Sequence, residues 1–244
     1  PLNISRELIH DQKFKTYLAN LNLKAAKKAK ASAAYETADK YLDIGLQLLG
    51  FDGWTSEYKL SVELYIEKIE VEVTNPDFNK VLQLSKIIEK NSKTTIEKLR
   101  VYEIVISHYF AQNNPKAAIS YALRILSDLG VVLPSNPKKT NVFIYLVFTR
   151  LNQDINLDRY YFLPEMTNSD KIAALKILSS IIPATFVAAP TLFPMIVLTM
   201  LNLTFKYGNS VVSCLAYTSY GIILCGMLDD YEAGYRYGNI ALKI

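Results

Sequence analysis

The chain has 244 residues, half of them hydrophobic, with 9 glycines, 9 prolines and a net charge of +4. So small a charge gives no reason to expect nucleic acid as a partner. Few helix breakers together with abundant Leu, Ala, Ile and Lys describe an all-α protein. Cys214 and Cys225 stand eleven apart on one expected helix, roughly 16 Å by helical rise. They cannot bridge each other and read as small buried apolar residues of a reducing compartment. The first 20 residues are polar and mixed in charge, unlike a signal peptide. Charge is uneven: residues 1–130 hold 18 of the 27 Lys and Arg and 16 of the 23 Asp and Glu. The N-terminal half therefore reads as solvated amphipathic helices and the C-terminal half as more enclosed.

In chain order, apolar periodicity predicts a helix over 5–29, a lysine-rich turn, and a second helix over 31–49 stopped at Gly50-Phe-Asp-Gly53. Ser56 is placed to cap a helix to about Val73, and Asn75-Pro76-Asp77 turns the chain. Helices come next over 78–90, from Ser92 or Thr94 to Gln112, and from Pro115 to Leu129, where Gly130 stops the last. Residues 131–169 break the rhythm. A helix over about 140–152 and an aromatic loop, Tyr160-Tyr-Phe-Leu-Pro164, read as an insertion packed across the other helices, and Thr167 or Ser169 is placed to cap the next helix. Helices over 169–188, 191–207, 210–227 and 230–243 complete the chain, which begins at Pro1 and stops within a helical pattern, as a segment of something longer would.

The pairs repeat. The sets Ala31/Ala34/Ala38, Phe78/Val81/Ser85, Pro115/Ala118/Ala122 and Tyr231/Gly234/Gly238 share one spacing, a bulky or turn residue, a small or apolar one three later and a small one four after that. Tyr102, Val105, Ile106 and Tyr109 match the large-residue spacing of a tetratricopeptide first helix, and Leu18, Leu21 and Ala25 take equivalent places. Small residues let helices approach until a neighbour's large side chain fills the gap. The fold expected is an all-α, degenerate tetratricopeptide-like array of helical hairpins, an α-solenoid or α-α superhelix, in one domain. It would comprise about three hairpins over 1–130, the irregular insertion 131–169 and apolar hairpins over 170–244.

Between Ile177 and Leu228 the only charged residue is Lys206. A spanning helix needs roughly 20 apolar residues. Pro183, Pro190 and Pro194 break the first half into pieces too short to span comfortably. The tyrosines of the second half are scattered, not gathered in interfacial belts, and the flanking charges give no positive-inside signal. A buried layer of a soluble protein is the preferred reading; a membrane hairpin is the alternative.

No P-loop, dinucleotide fingerprint or nucleophile elbow is present. His10 and His108 lie far apart, and no paired Cys or His ligands suggest zinc. Asp229-Asp230 suits a helix N-terminus. Glu63, Glu67 and Glu70 share one helical face and Lys24, Lys27 and Lys28 another. Each reads as solvated surface, or as part of a groove for a charged partner. Trp54, after a helix end, is placed to pin a turn. No catalytic, cofactor or metal residue is assigned.

Several long runs resemble a known region. They are KKAKASAAYETADKYLDIGLQLLGFDGW (Lys27–Trp54), YKLSVELYIEKIE (Tyr58–Glu70), IEKLRVYEIVISHYFAQN (Ile96–Asn113), LPEMTNSDKIAALKILSSI (Leu163–Ile181), AAPTLFPMIVLTMLNLTFKYGN (Ala188–Asn209) and YGIILCGMLDDYEAGYRYGNIAL (Tyr220–Leu242). Together, over about residues 10–244, they are similar to the tetratricopeptide-like region of large bacterial multi-sensor kinases. In that family an N-terminal Ser/Thr kinase and a STAND-class ATPase precede the region, and a GAF domain and usually a histidine kinase come after it. Asn75-Pro76-Asp77 departs from the family's glycine-containing turn. None of the family's kinase, ATPase or GAF motifs falls here.

The resemblance implies a cytoplasmic, non-catalytic segment that binds a protein or peptide partner and couples it to neighbouring domains of the same chain. The candidate groove residues are Tyr65, Lys68, Tyr102 and Tyr109. A small-molecule or lipid-binding helical domain, with the apolar stretch as a pocket wall, is the other class to weigh.

Overall fold

The structure is a computed structural model that describes residues 9–75, 78–151 and 157–244. Residues 5–8 of the first expected helix, Pro76 and Asp77 of the expected turn, and Asn152 at the end of the expected helix over 140–152 lie outside these residues. Among the described residues the protein is all-α. The helices are α1 Gln12–Ala31, α2 Tyr35–Leu49, α3 Gly53–Ser56, α4 Tyr58–Glu72, α5 Phe78–Asn91, α6 Thr95–Ala111, α7 Pro115–Asp128, α8 Lys139–Leu151, α9 Ser169–Ala188, α10 Leu192–Tyr207, α11 Ser213–Leu228 and α12 Tyr231–Lys243, with a 3-10 turn at Leu157–Phe162. They fall into two compact units, Pro1–Val105 and Ile106–Ile244, the division lying within α6.

In the N-terminal unit α1 pairs with α2, and α4 packs on α2 and α5. Asp11 caps α1 by accepting from the backbone N–H groups of Lys13 and Phe14. The helix runs through the lysine-rich stretch expected to be a turn and ends at Ser32. The turn falls instead at Ala33, whose φ is +57°. Leu18, Ala19, Leu23, Ala38, Leu42 and Leu64 form the core, with the small Ala38 at the repeat position fully buried. Ser56 does not cap α4; its hydroxyl donates to the carbonyl of Asp52, the residue before α3. The start of α6 is a capping box. Thr94 Oγ1 accepts from Glu97 N at 3.4 Å, and Glu97 Oε2 accepts from Thr94 N at 3.1 Å and from Tyr58 Oη at 2.6 Å.

In the C-terminal unit Asn113 takes the left-handed conformation, at φ +55°, and Asn114 caps α7 with Pro115 at its first position. α7 packs on α9, α9 on α10, α10 on α11 and α11 on α12, while α8 lies against α10. Asn168 caps α9, not Thr167 or Ser169: its Oδ1 accepts from Asp170 N and Lys171 N, both at 3.1 Å. α11 and α12 meet at Gly221 and Gly234, where a Cβ on either would lie within 3.0 Å of the other's carbonyl oxygen. Gly238, which shares the repeat spacing, faces open space. Pro183 is accommodated inside α9, so that helix keeps its 20 residues. Its bounds are those expected, but among the described residues it is the one helix long and apolar enough to cross a membrane, contrary to the expectation that each piece is too short to span comfortably; 44% of its apolar window is buried in the protein.

The aromatic loop folds inward. Tyr160 joins Tyr217, Tyr220 and Tyr237 in the core. Asn209, itself buried, donates to the Tyr160 carbonyl at 2.7 Å and accepts from the Tyr217 hydroxyl at 3.0 Å. Gly208 before it holds φ +105°, and a Cβ there would collide with the Pro164 carbonyl.

Candidate functional site

The buried side of α4 carries Val62, Leu64 and Ile69, as an amphipathic helix should, but also Glu67, Lys68 and Glu72. A buried charge is costly unless it is paired. Lys68 Nζ lies 2.5 Å from Asp39 Oδ1, 2.6 Å from Asp43 Oδ1 and 3.2 Å from Glu72 Oε1. Glu72 is closed in turn by Lys80 and by Asn75 Nδ2 at 2.8 Å. Burial works against the Lys68 charge, yet its hydrogen bonds to Asp39 and Asp43 prevail and raise the ammonium's pKa. Burial likewise opposes the Glu72 charge, but hydrogen bonds from Lys80, Asn75 and Lys68 bring its carboxyl down to about 2. Ions held this firmly are poorly placed to give or take a proton near neutral pH.

The acidic and basic faces of α4 and α1 meet each other. Lys27 pairs with Glu63, and Lys30 with Glu67 and, at 2.6 Å, with Glu70; Arg100 reaches Glu70 at 2.5 Å. Of the two expected faces, Glu63, Glu67, Glu70 and Lys27 are paired within the unit, while Lys24 and Lys28 are exposed, as a solvated surface would have them.

The four candidate groove residues separate. Lys68 is 1% exposed and Tyr102 is buried, so neither is an exposed groove residue. Tyr65 is half-buried and stacks on Trp54, with ring centroids 5.0 Å apart. Tyr109, in the other unit, is half-buried with its ring 6.2 Å from that of Tyr121. A charged or aromatic residue on a first helix reads as surface in a sequence. Here the inward turn of α4 is set by partners on α2 that the α4 pattern does not contain.

A different surface in the C-terminal unit was missed. α8 buries Val142, Leu146 and Thr149, yet its opposite face is also apolar: Phe143, Ile144, Val147, Phe148 and Leu151 are all exposed. Beside that face a cavity of about 540 Å³ opens, walled by α8, α10, the first turn of α9 and the segment after α7. Val131, Ile144, Phe148 and Leu203 supply apolar wall, and Lys171 and Lys206 supply charge. Both ammoniums lie near the Tyr207 ring, at 5.9 and 5.2 Å from its centroid. Lys171 also donates to the Leu129 carbonyl at 2.7 Å. Asn202 Nδ2 donates to Thr149 Oγ1 at 2.9 Å, and Arg150 pairs with Asp230 at 2.6 Å, which fixes α8 in place. No Asp or Glu lines the cavity among the described residues. Two signals for this surface were in the sequence: α8 is apolar on every side, and Lys206 is the lone charge of an apolar stretch.

Among the described residues, no group of three or more His, Cys, Asp or Glu is placed to hold a metal ion. Cys214 and Cys225 are free and half-buried. Asp230 caps α12 through Ala233 N at 3.2 Å, the role its position suggested.

No protein-family model matches the chain, and no solved structure matches it. The chain is similar to hybrid signal transduction histidine kinase G of Dictyostelium discoideum, 23% identical over 286 aligned positions that take in 99% of this chain. It spans 8% of that relative's length. This distant similarity gives the chain a signal-transduction kinase context. The relative's source lies outside the bacteria to which the sequence resemblance pointed.

Proposed function

We propose that this chain is a non-catalytic helical segment of a cytoplasmic signalling kinase, which receives a protein or peptide partner and couples that event to neighbouring ATPase, sensor and kinase domains. The observation that carries the reading is the similarity of 99% of this chain to 8% of one long signalling kinase. The fixed ions of α4 are in keeping with a structural role, and the apolar outer face of α8 offers a surface for a partner.

The test has two arms. The native reading frame around this segment is expected to encode a Ser/Thr kinase and ATPase on one side and GAF and histidine kinase domains on the other. In that full-length protein, substituting Ile144→Glu should alter the regulated response of autophosphorylation while leaving ATP binding intact. ATP hydrolysis or phosphoryl transfer by the 244-residue chain alone would overturn the non-catalytic reading.

The cavity beside α8 favours one second reading, a small-molecule site. Its volume falls in the range of ligand pockets, and α10, part of the apolar stretch, forms one wall. Native mass spectrometry of the purified chain would reveal a retained amphiphile if this reading holds.

A further inference from the structure

We infer that the α8–α10 groove of the C-terminal unit binds an acidic amphipathic helix, an inference that rests on the interaction role proposed for the chain. The first argument is extent. Phe143, Ile144, Val147, Phe148 and Leu151 recur at helical spacing and so share one side of α8. Phe143, Phe148 and Leu151 are 67, 61 and 80% exposed. A helix with one buried face ordinarily presents polar residues on the other, and an apolar patch of this kind marks an interaction site.

The face also outruns the cavity. Ile144 and Phe148 belong to the cavity wall, whereas Phe143, Val147 and Leu151 do not. A small ligand filling the cavity would leave those three in water. A helix of three to four turns, about 20 Å long, laid along α8 covers them and can send one large side chain into the cavity, which is the helix-in-groove mode of recognition.

The second argument is charge. The groove offers two ammoniums, Lys171 and Lys206, and no carboxylate among the described residues. The nearby Arg150 already pairs with Asp230. Carboxylates flanking the partner's apolar stripe would meet Lys206 at the exposed rim, whereas a basic helix would meet like charge. The occupant is therefore an acidic helix with a Leu- or Phe-bearing stripe.

The probe is a labelled synthetic helix of about 16 residues with a Leu/Phe stripe and Glu flanks, sized to the groove, titrated by fluorescence anisotropy into the 244-residue chain. The same peptide with Lys for Glu is the control. The Glu peptide should bind saturably at one site, and the Lys peptide at least about tenfold more weakly, a difference of roughly 1.4 kcal/mol. Ile144→Glu and Lys206→Glu should each weaken the Glu peptide by a similar factor with circular dichroism unchanged, and Lys206→Arg should retain it. No saturable binding, equal binding of both peptides, or wild-type binding by both variants would overturn the inference. So would dodecanoate occupying the cavity without peptide binding, or self-association of the chain that Ile144→Glu abolishes. Binding is read on this chain alone, so its failure leaves the coupling role standing. Intact binding without any effect of the groove variants on the full kinase would remove that role instead.

Discussion

In the N-terminal unit the inner side of α4 holds Glu67, Lys68 and Glu72, three charged groups in one helix's buried face. The interior of the C-terminal unit is filled by rings: Tyr160 stacks on Phe205 at 4.2 Å, and Tyr220 meets Tyr237 edge-on at 4.9 Å. The surfaces differ in the same sense. The first unit turns its Lys and Glu faces toward each other, so that much of its charge is spent internally. The second spends its polar atoms on a few links such as Asn209 and leaves the apolar side of α8 in water. A surface whose charges are already paired has little left for a partner, whereas an uncovered apolar face gains by being covered. This difference is the ground for the proposal that recognition belongs to the second unit's groove and not to the first unit's ions.

The sharpest way to break the comparison is Lys68→Ala. It takes the shared cation from Asp39, Asp43 and Glu72, of which Glu72 keeps Lys80 and Asn75, and loss of one member of a buried ionic network costs about 3–5 kcal/mol. Urea unfolding followed at Trp54, the only tryptophan of the chain and a member of this unit, reads that loss directly. Acid reaches the same network. The folded pKa of Glu72 is about 2, against an ordinary 4.5. Its contribution is therefore complete above pH 4.5 and is lost as pH falls from there toward 2. Trp54 fluorescence should report loosening of the N-terminal unit across that window, and Glu72→Gln should remove this part of the pH dependence.

In the other unit Asn209→Ala leaves the buried Tyr160 carbonyl and the Tyr217 hydroxyl without this partner. Unsatisfied buried groups of that kind cost roughly 2–3 kcal/mol, measurable as a lower midpoint in thermal unfolding. Tyr237→Phe goes the opposite way. Among the described residues the Tyr237 hydroxyl is buried without a hydrogen-bond partner, so its removal should leave stability unchanged or raise it by up to about 1 kcal/mol. The smallest effect belongs to Lys27→Ala: its pair with Glu63 is solvent-exposed, and chemical denaturation should move by no more than about 0.5 kcal/mol.

Much of the fold was legible because helical hairpins write themselves locally. Small residues at Ala38, Ala118 and Ala122 sit fully buried at the expected spacing, and Asn114-Pro115 starts α7 as its chemistry dictates. The candidate site was less legible, for a physical reason. Whether Lys68 faces water depends on Asp39 and Asp43 of another helix, and no periodicity within α4 carries that information. The cap of α9 fell to Asn168 because Asn competes as well as Ser or Thr for the same N–H groups. Tyr160, expected in a loop, lies in the 3-10 turn Leu157–Phe162, and its burial depends on Asn209, 49 residues away. The composition of α8 marked it as unusual, but a helix apolar all round ordinarily reads as wholly buried, so the sequence did not say which side stays uncovered.

The central claim is that recognition belongs to α8 and α10 and not to α4. The most direct measurement is a backbone amide NMR titration of the 244-residue chain with the acidic amphipathic peptide. The account predicts shifts concentrated at Ile144, Phe148, Lys206 and Tyr207, with Tyr65 and Lys68 unmoved. Shifts centred on α1 and α4, with α8 unchanged, would contradict it.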